Sequence, residues 1–108
     1  MLMVYTSTIR TNDPDNLNIT VKSGDKVFAP TWDMVMGHKN GTLTDEQYTD
    51  MYRELMLKSW KKNRWRWAEL LQQERVVLVC YCRPGEFCHR VLLAGILEKL
   101  GATYCGEI

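Results

Sequence analysis

Residues 76–101 read VVLVCYCRPGEFCHRVLLAGILEKLG, and this stretch decides the fold. Val76, Val77, Leu78, Val79, Cys80 and Tyr81 form an apolar run with no polar residue alternating through it. Such a run predicts a strand covered on both faces, in the middle of a parallel sheet. Period-2 alternation puts Leu78, Cys80 and Cys82 on one face, and Val79 and Tyr81 on the other. Pro84 biases Arg83 towards an extended backbone, and Pro84-Gly85 favours a turn that ends the strand. Val91, Leu92, Ala94, Gly95, Ile96, Leu97 and Leu100 then give an apolar stripe at helical spacing, with Gly101 as the stop.

Strand, loop and helix in that order predict an α/β fold, a single Rossmann-like domain over residues 1–108 with a mostly parallel sheet flanked by helices. They also locate a site. Cys88, His89 and Arg90 fall in or beside the first helical turn, where unpaired backbone N–H groups and the positive end of the helix dipole collect. That environment attracts anions and lowers a thiol pKa. Ligands of open α/β sheets bind at the carboxyl ends of strands, so the expected pocket is built by residues 82–90.

Working outward, residues 1–9 read as a first strand with Thr6, Ser7 and Thr8 at its carboxyl end. Those hydroxyls serve a turn or, if the strand runs parallel to residues 76–81, line the pocket with Arg10. Asn, Asp and Pro make residues 11–17 a loop. A second short strand is expected over residues 18–22, closed by Ser23-Gly24-Asp25. Thr31 is a helix N-cap for residues 32–36, with His38 a solvated residue of the turn that follows. Thr44-Asp45-Glu46-Gln47 fits a capping box that opens the longest helical segment. Continued to Gln73, that helix would run roughly 43 Å at ~1.5 Å per residue, against a radius of gyration of about 13 Å for a domain this size. A break near residues 61–64 is therefore predicted. Met56, Trp60, Trp67 and Leu71 share its core face. Trp65 falls off that face among Lys58, Lys61 and Lys62, a candidate surface contact for nucleic acid. A last strand is expected around residues 103–105.

The totals fit this reading. A chain of 108 residues, 45% hydrophobic and 25% charged with net charge +1, has room for one core and no strong preference for an acidic partner. No run reaches the ~18 apolar residues of a membrane span. The segment MLMVYTSTIR lacks the basic start and long apolar stretch of a signal peptide. A cytoplasmic protein without a membrane partner is the expectation. Three of the four cysteines lie between positions 80 and 88, so reduced thiols or metal ligands are expected ahead of disulfides.

Cys80-Tyr-Cys-Arg-Pro-Gly-Glu-Phe-Cys88-His89-Arg90 resembles the signature of the bacterial and phage family known as domain of unknown function 488. In that family an apolar strand ends in Cys, Glu follows two residues on, and Cys-His-Arg opens a helix after a loop with Pro. Cys80, Cys88, His89 and Arg90 stand at the matching spacing, whereas Cys82 occupies the place of the Glu. Ala29-Pro30, Tyr48 and Tyr52 also resemble its small single-domain branch. The resemblance implies a compact Rossmann-like α/β fold and brings no reaction with it.

Three readings of the cluster follow. In the first, it is an anion site for a phosphate-bearing small molecule or nucleic acid. Arg90 pairs with the phosphate, Cys82, Arg83, Ser7 and Arg10 line the pocket, Cys88 is a nucleophile, and His89 or His38 carries the proton. The spacing of the tyrosine-phosphatase loop, Cys and five residues later Arg, is absent. In the second, Cys80, Cys82, Cys88 and His89 hold zinc, with Cys105 as a fifth ligand type. The Cys-x-Cys spacing is tight for that, and Cys88 and His89 project about 100° apart if both are helical. In the third, Cys80 is a core hydrophobe, Cys88 and His89 cap the helix, and Arg90 ties the loop to a carbonyl or to Glu86. The protein then acts as a non-enzymatic binding or accessory module of phage type, through surfaces such as the one around Trp65, with a protein among its candidate partners.

Overall fold

The structure, a computed structural model, describes residues 1–8, 12–81 and 87–108. In chain order the elements are β1 (Met3–Thr8), β2 (Asn16–Asn18), α1 (Trp32–Lys39), α2 (Asp45–Lys62), α3 (Arg64–Leu71), β3 (Arg75–Cys80), α4 (His89–Lys99) and β4 (Thr103–Glu107). The four strands form one all-parallel sheet in the order β2-β3-β1-β4, flanked by the four helices. The fold is α/β and Rossmann-like, as expected from the apolar run, although Tyr81, counted with that strand from sequence, lies beyond β3 and is 60% exposed. β3 sits between β2 and β1, and Val76 to Cys80 are all buried.

One face of the sheet carries Leu2, Val4, Val76 and Leu78 into a core completed by Met34, Tyr52, Met56, Trp67, Leu93 and Leu97 from the helices. α4 packs on β1, β3 and β4, and its other flank meets α2. The long helix breaks where compactness demands. α2 ends at Lys62, Asn63 leaves helical geometry (φ −124°, ψ 40°), and α3 turns back. The radius of gyration is 13.0 Å. Both halves of the capping box form, Thr44 Oγ1 accepting from the Gln47 amide and Gln47 Oε1 accepting from the Thr44 amide.

Several boundaries differ from expectation. β2 is Asn16–Asn18 rather than residues 18–22, because side chains there bond the local backbone. Asn18 Oδ1 accepts from the Thr20 amide and Thr20 Oγ1 from the Ser23 amide, so the chain turns where it would otherwise extend. α1 continues through His38 and Lys39 to its cap at Asn40. Leu70, not Leu71, is the fully buried leucine of α3, since the break at Asn63 resets the helical register. β4 runs two residues further than predicted, to Glu107. No helix among the described residues is long and apolar enough to cross a membrane.

Candidate functional site at the carboxyl ends of β2 and β3

Three turns converge beyond the sheet. β3 ends at Cys80, the chain leaving β2 turns through Ile19 and Thr20, and α4 starts at His89 with Cys88 as its N-cap. Cys88 has an extended backbone (φ −154°, ψ 148°) and so is not on the helical lattice. The 100° divergence expected of two helical residues does not apply, and Cys88 Sγ lies 3.7 Å from His89 Nδ1.

The protonation of this pair follows from its surroundings. His89 Nε2 lies 2.6 Å from the Ile19 carbonyl oxygen, which can only accept, so Nε2 carries a proton and donates it. Burial holds the His89 pKa below its ordinary value; the Cys80 thiol and the Ile19 bond oppose that shift and the Arg90 charge adds to it. The ring is therefore neutral at neutral pH, and Nδ1 is an acceptor aimed at the Cys88 thiol. Tyr52, its ring 5.8 Å from that of His89, donates its hydroxyl to the Phe28 carbonyl. Burial first, then Tyr48, Cys88 and Cys80, push its pKa well above the usual value, so it stays a neutral phenol.

Arg90 is only 1% exposed. Its guanidinium forks onto Glu107, Nε to Oε1 at 3.2 Å and Nη2 to Oε2 at 3.1 Å, and Nη1 donates to Cys80 Sγ at 2.9 Å. Burial pushes its pKa down, but the bonds to Glu107 and Cys80 outweigh this and raise it, so the cation is permanent. Glu107 is thus one carboxylate that meets Arg90; Glu86, the partner expected from sequence, lies outside the described residues.

Cys80, Cys88 and His89 form part of the lining of a cavity of about 520 Å³. Its other walls come from Thr20 to Lys22 after β2, from Trp32, Val35, His38 and Lys39 on α1, from Tyr48 on α2, and from Phe87. His38 is not the solvated turn residue expected from sequence. Its Nε2 lies 2.6 Å from Asp45 Oδ1, and its ring packs 5.0 Å from Phe87 and 5.5 Å from Tyr48. Sequence reasoning missed the α1 wall. Trp32, Val35 and Lys39 stand at i, i+3 and i+7, so one shared helical face was legible, but nothing local said where it pointed.

Other expected residues lie elsewhere. Ser7 Oγ donates to the Ile108 carbonyl, and Thr6 Oγ1 bonds the Tyr104 hydroxyl at 2.6 Å, so β1 spends these hydroxyls on β4. Arg10, Cys82 and Arg83 fall outside the described residues. Trp65 is 68% exposed at the start of α3, with Lys61 and Lys62 exposed at the end of α2. Tyr48, which borders the cavity, is thirteen positions before Lys61 on α2, roughly 20 Å along the axis. That surface is separate from the cavity.

Fold and site together define a class: a small parallel α/β domain with a thiol–imidazole cluster flooring a cavity at the carboxyl ends of its strands. The family profile described as the active DUF488-N3 subclade matches residues 10–101, and the chain belongs to the domain of unknown function 488 family. No curated protein and no solved structure matches it.

Proposed function

We propose that the protein is a thiol-dependent enzyme acting on a small phosphate-bearing ligand, a nucleotide by class, held in the cavity beside Cys88. The observation that carries this reading is the Cys88–His89 pair. Nε2–H is fixed on the Ile19 carbonyl, and Nδ1 faces Cys88 Sγ at 3.7 Å within the cavity lining. A nucleophile, a base and a third group that orients the base are the parts that nucleophilic catalysis needs. The thiol proton passes to Nδ1, sulfur bonds the electrophilic atom of the ligand, and the imidazolium returns the proton to the departing group.

The walls favour the ligand class. Trp32 and Tyr81 are 54% and 60% exposed at the cavity, and Phe87 adds a third ring, so a planar base finds aromatic faces to stack on. Lys22 and Lys39 supply the charge for a phosphate. Arg90, buried and forked onto Glu107, serves as a positioning residue that holds Cys80 and the start of α4.

The test is alkylation of the reduced, metal-free protein by iodoacetamide, mapped by mass spectrometry, with exposed Cys105 as the internal reference. Cys88 should react faster than Cys105, nucleoside phosphates should protect it, and Lys39→Ala should abolish the protection. His89→Asn should slow the reaction by at least ~10-fold, the low end of general-base effects being about 100-fold. A Cys88 slower than Cys105 and indifferent to nucleotides would remove the proposal.

A further inference from the structure

The same floor has a second capacity. One ligand atom from each of Cys80, Cys88 and His89 lies within 4.8 Å of the other two, and all three residues are buried. Cys80 ends β3 and the consecutive Cys88 and His89 open α4, so the strand end and the helix start bring the three together across one connection. A tetrahedral zinc ion with Zn–S of about 2.3 Å and Zn–N of about 2.0 Å needs ligand atoms roughly 3.6–3.8 Å apart. The Cys88–His89 separation of 3.7 Å already meets that spacing.

Outer contacts of the kind that metal ligands require are also in place. His89 uses Nε2–H on the Ile19 carbonyl, which fixes the tautomer that leaves the Nδ1 lone pair towards the sulfurs. Cys80 Sγ accepts from Arg90 Nη1, a charged donor that favours its thiolate. Two thiolates neutralise a divalent ion, and Glu107 already balances Arg90, so the loaded cluster buries no net charge. Among the described residues the set has three protein ligands, and all three border the cavity. Three ligands and an open position distinguish reactive zinc sites from closed structural ones.

We propose that Cys80, Cys88 and His89 take one zinc-class divalent ion whose fourth position opens into the cavity, where water or an anionic oxygen of the ligand completes the tetrahedron. The inference rests on the thiol reading only for the cavity they share. An ion bound to Cys88 and His89 removes that nucleophile and base, so metal-free and metal-loaded protein are two chemically different states of one site. Cys82 is not needed for it.

The experiment is titration of the reduced, chelator-stripped full chain with Co²⁺, then displacement by Zn²⁺. Expected are one equivalent bound, the intense visible bands of tetrahedral cobalt, and a thiolate-to-cobalt charge-transfer band. All three should be lost in Cys80→Ser and in His89→Asn and kept in Cys105→Ser. Zinc at about ten times its Kd should slow Cys88 alkylation roughly tenfold. Should Cys80→Ser fail to fold, Cys88→Ser answers the same question, and the charge-transfer intensity of the wild type counts thiolates without any variant. A weak octahedral spectrum, absence of stoichiometric binding, or a site that survives Cys88→Ser and dies with Cys105→Ser overturns the proposal. Nucleotide protection in metal-free protein is read separately, so either idea can fail alone.

Discussion

Gly24 occupies a place where no side chain fits. A Cβ there would run into the Thr20 amide nitrogen and lie 2.5 Å from the Thr20 oxygen and 2.7 Å from the Asn18 oxygen, all backbone atoms that cannot swing aside. Gly24 also donates its amide to the Thr20 carbonyl, closing the turn that follows Ile19. Since the Ile19 carbonyl sets the tautomer of His89, this glycine supports the site from outside it. Gly24→Ala should lower stability by about 1–3 kcal/mol, the usual effect of overpacking, read as a lower urea midpoint. Gly95 is the control. Its Cβ would meet nothing within 4 Å, and it lies inside α4, so Gly95→Ala should raise stability by about 0.5–1 kcal/mol. Equal effects at the two positions would show that steric closure at the turn is not what selects glycine there. Sequence alone showed Ser23-Gly24-Asp25 as a turn. It could not show which atoms crowd the glycine, because the crowding depends on the side-chain bonds of Asn18 and Thr20.

Elements differ in how openly they announce themselves. α2 was legible because its cap, its length and its stop are local facts: Thr44 and Gln47 close the box, and a chain of this size cannot contain the unbroken helix. β3 was legible because five consecutive buried residues need an apolar run. β2 was not, since its three residues hold position through partners far along the chain. The key partner is Arg75, which bonds Asp13 Oδ1 at 2.6 Å and Asp15 Oδ2 at 3.0 Å and lies 4.7 Å from the Tyr5 ring. This clamp fixes the chain entering β2 against the start of β3. The Arg75 bond, then the Asp15 amide, depress the Asp13 pKa below its ordinary 3.8, a small effect of burial opposing. A depressed folded-state value means that the stabilisation is complete above about pH 4 and is lost as pH falls through the lower folded value. Asp13→Asn should therefore be less stable than wild type at neutral pH, and the gap should close as pH drops below about 4. Urea midpoints from pH 7 to pH 2.5 measure this. A gap constant with pH would assign the effect to shape rather than charge.

At the scale of the whole molecule, the sheet closes when β4 joins β1, across nearly the full length of the chain. Thr103 donates its amide to the Leu2 carbonyl and Ile108 to the Thr6 carbonyl. Between them the register slips: Val4 faces Tyr104 but Tyr5 faces Gly106, so Cys105 bulges out and Gly106 adopts φ +107°. The slip carries Glu107 to Thr6 and under the Arg90 fork, seventeen residues from its partner in sequence. This is why the Cys-His cluster was readable and its wiring was not. Cys-His-Arg at a helix start is a local pattern, whereas the carboxylate that meets Arg90 is chosen by a one-residue irregularity in an edge strand. If seating Glu107 is what the bulge accomplishes, the two positions must be coupled. Gly106→Ala, forced into a left-handed backbone, should cost about 1–3 kcal/mol. Glu107→Gln takes one carboxylate charge away from the buried Arg90. Because the Glu107 side chain is itself 29% exposed, its loss should fall short of the ~3–5 kcal/mol typical of breaking a fully buried pair, and about 1–3 kcal/mol is expected. In a double-mutant cycle the combined loss should be smaller than the sum by at least ~0.5 kcal/mol, because a carboxylate already gone cannot be misplaced again. Additivity within about 0.3 kcal/mol would mean that the bulge only closes the sheet and that Glu107 reaches Arg90 without its help.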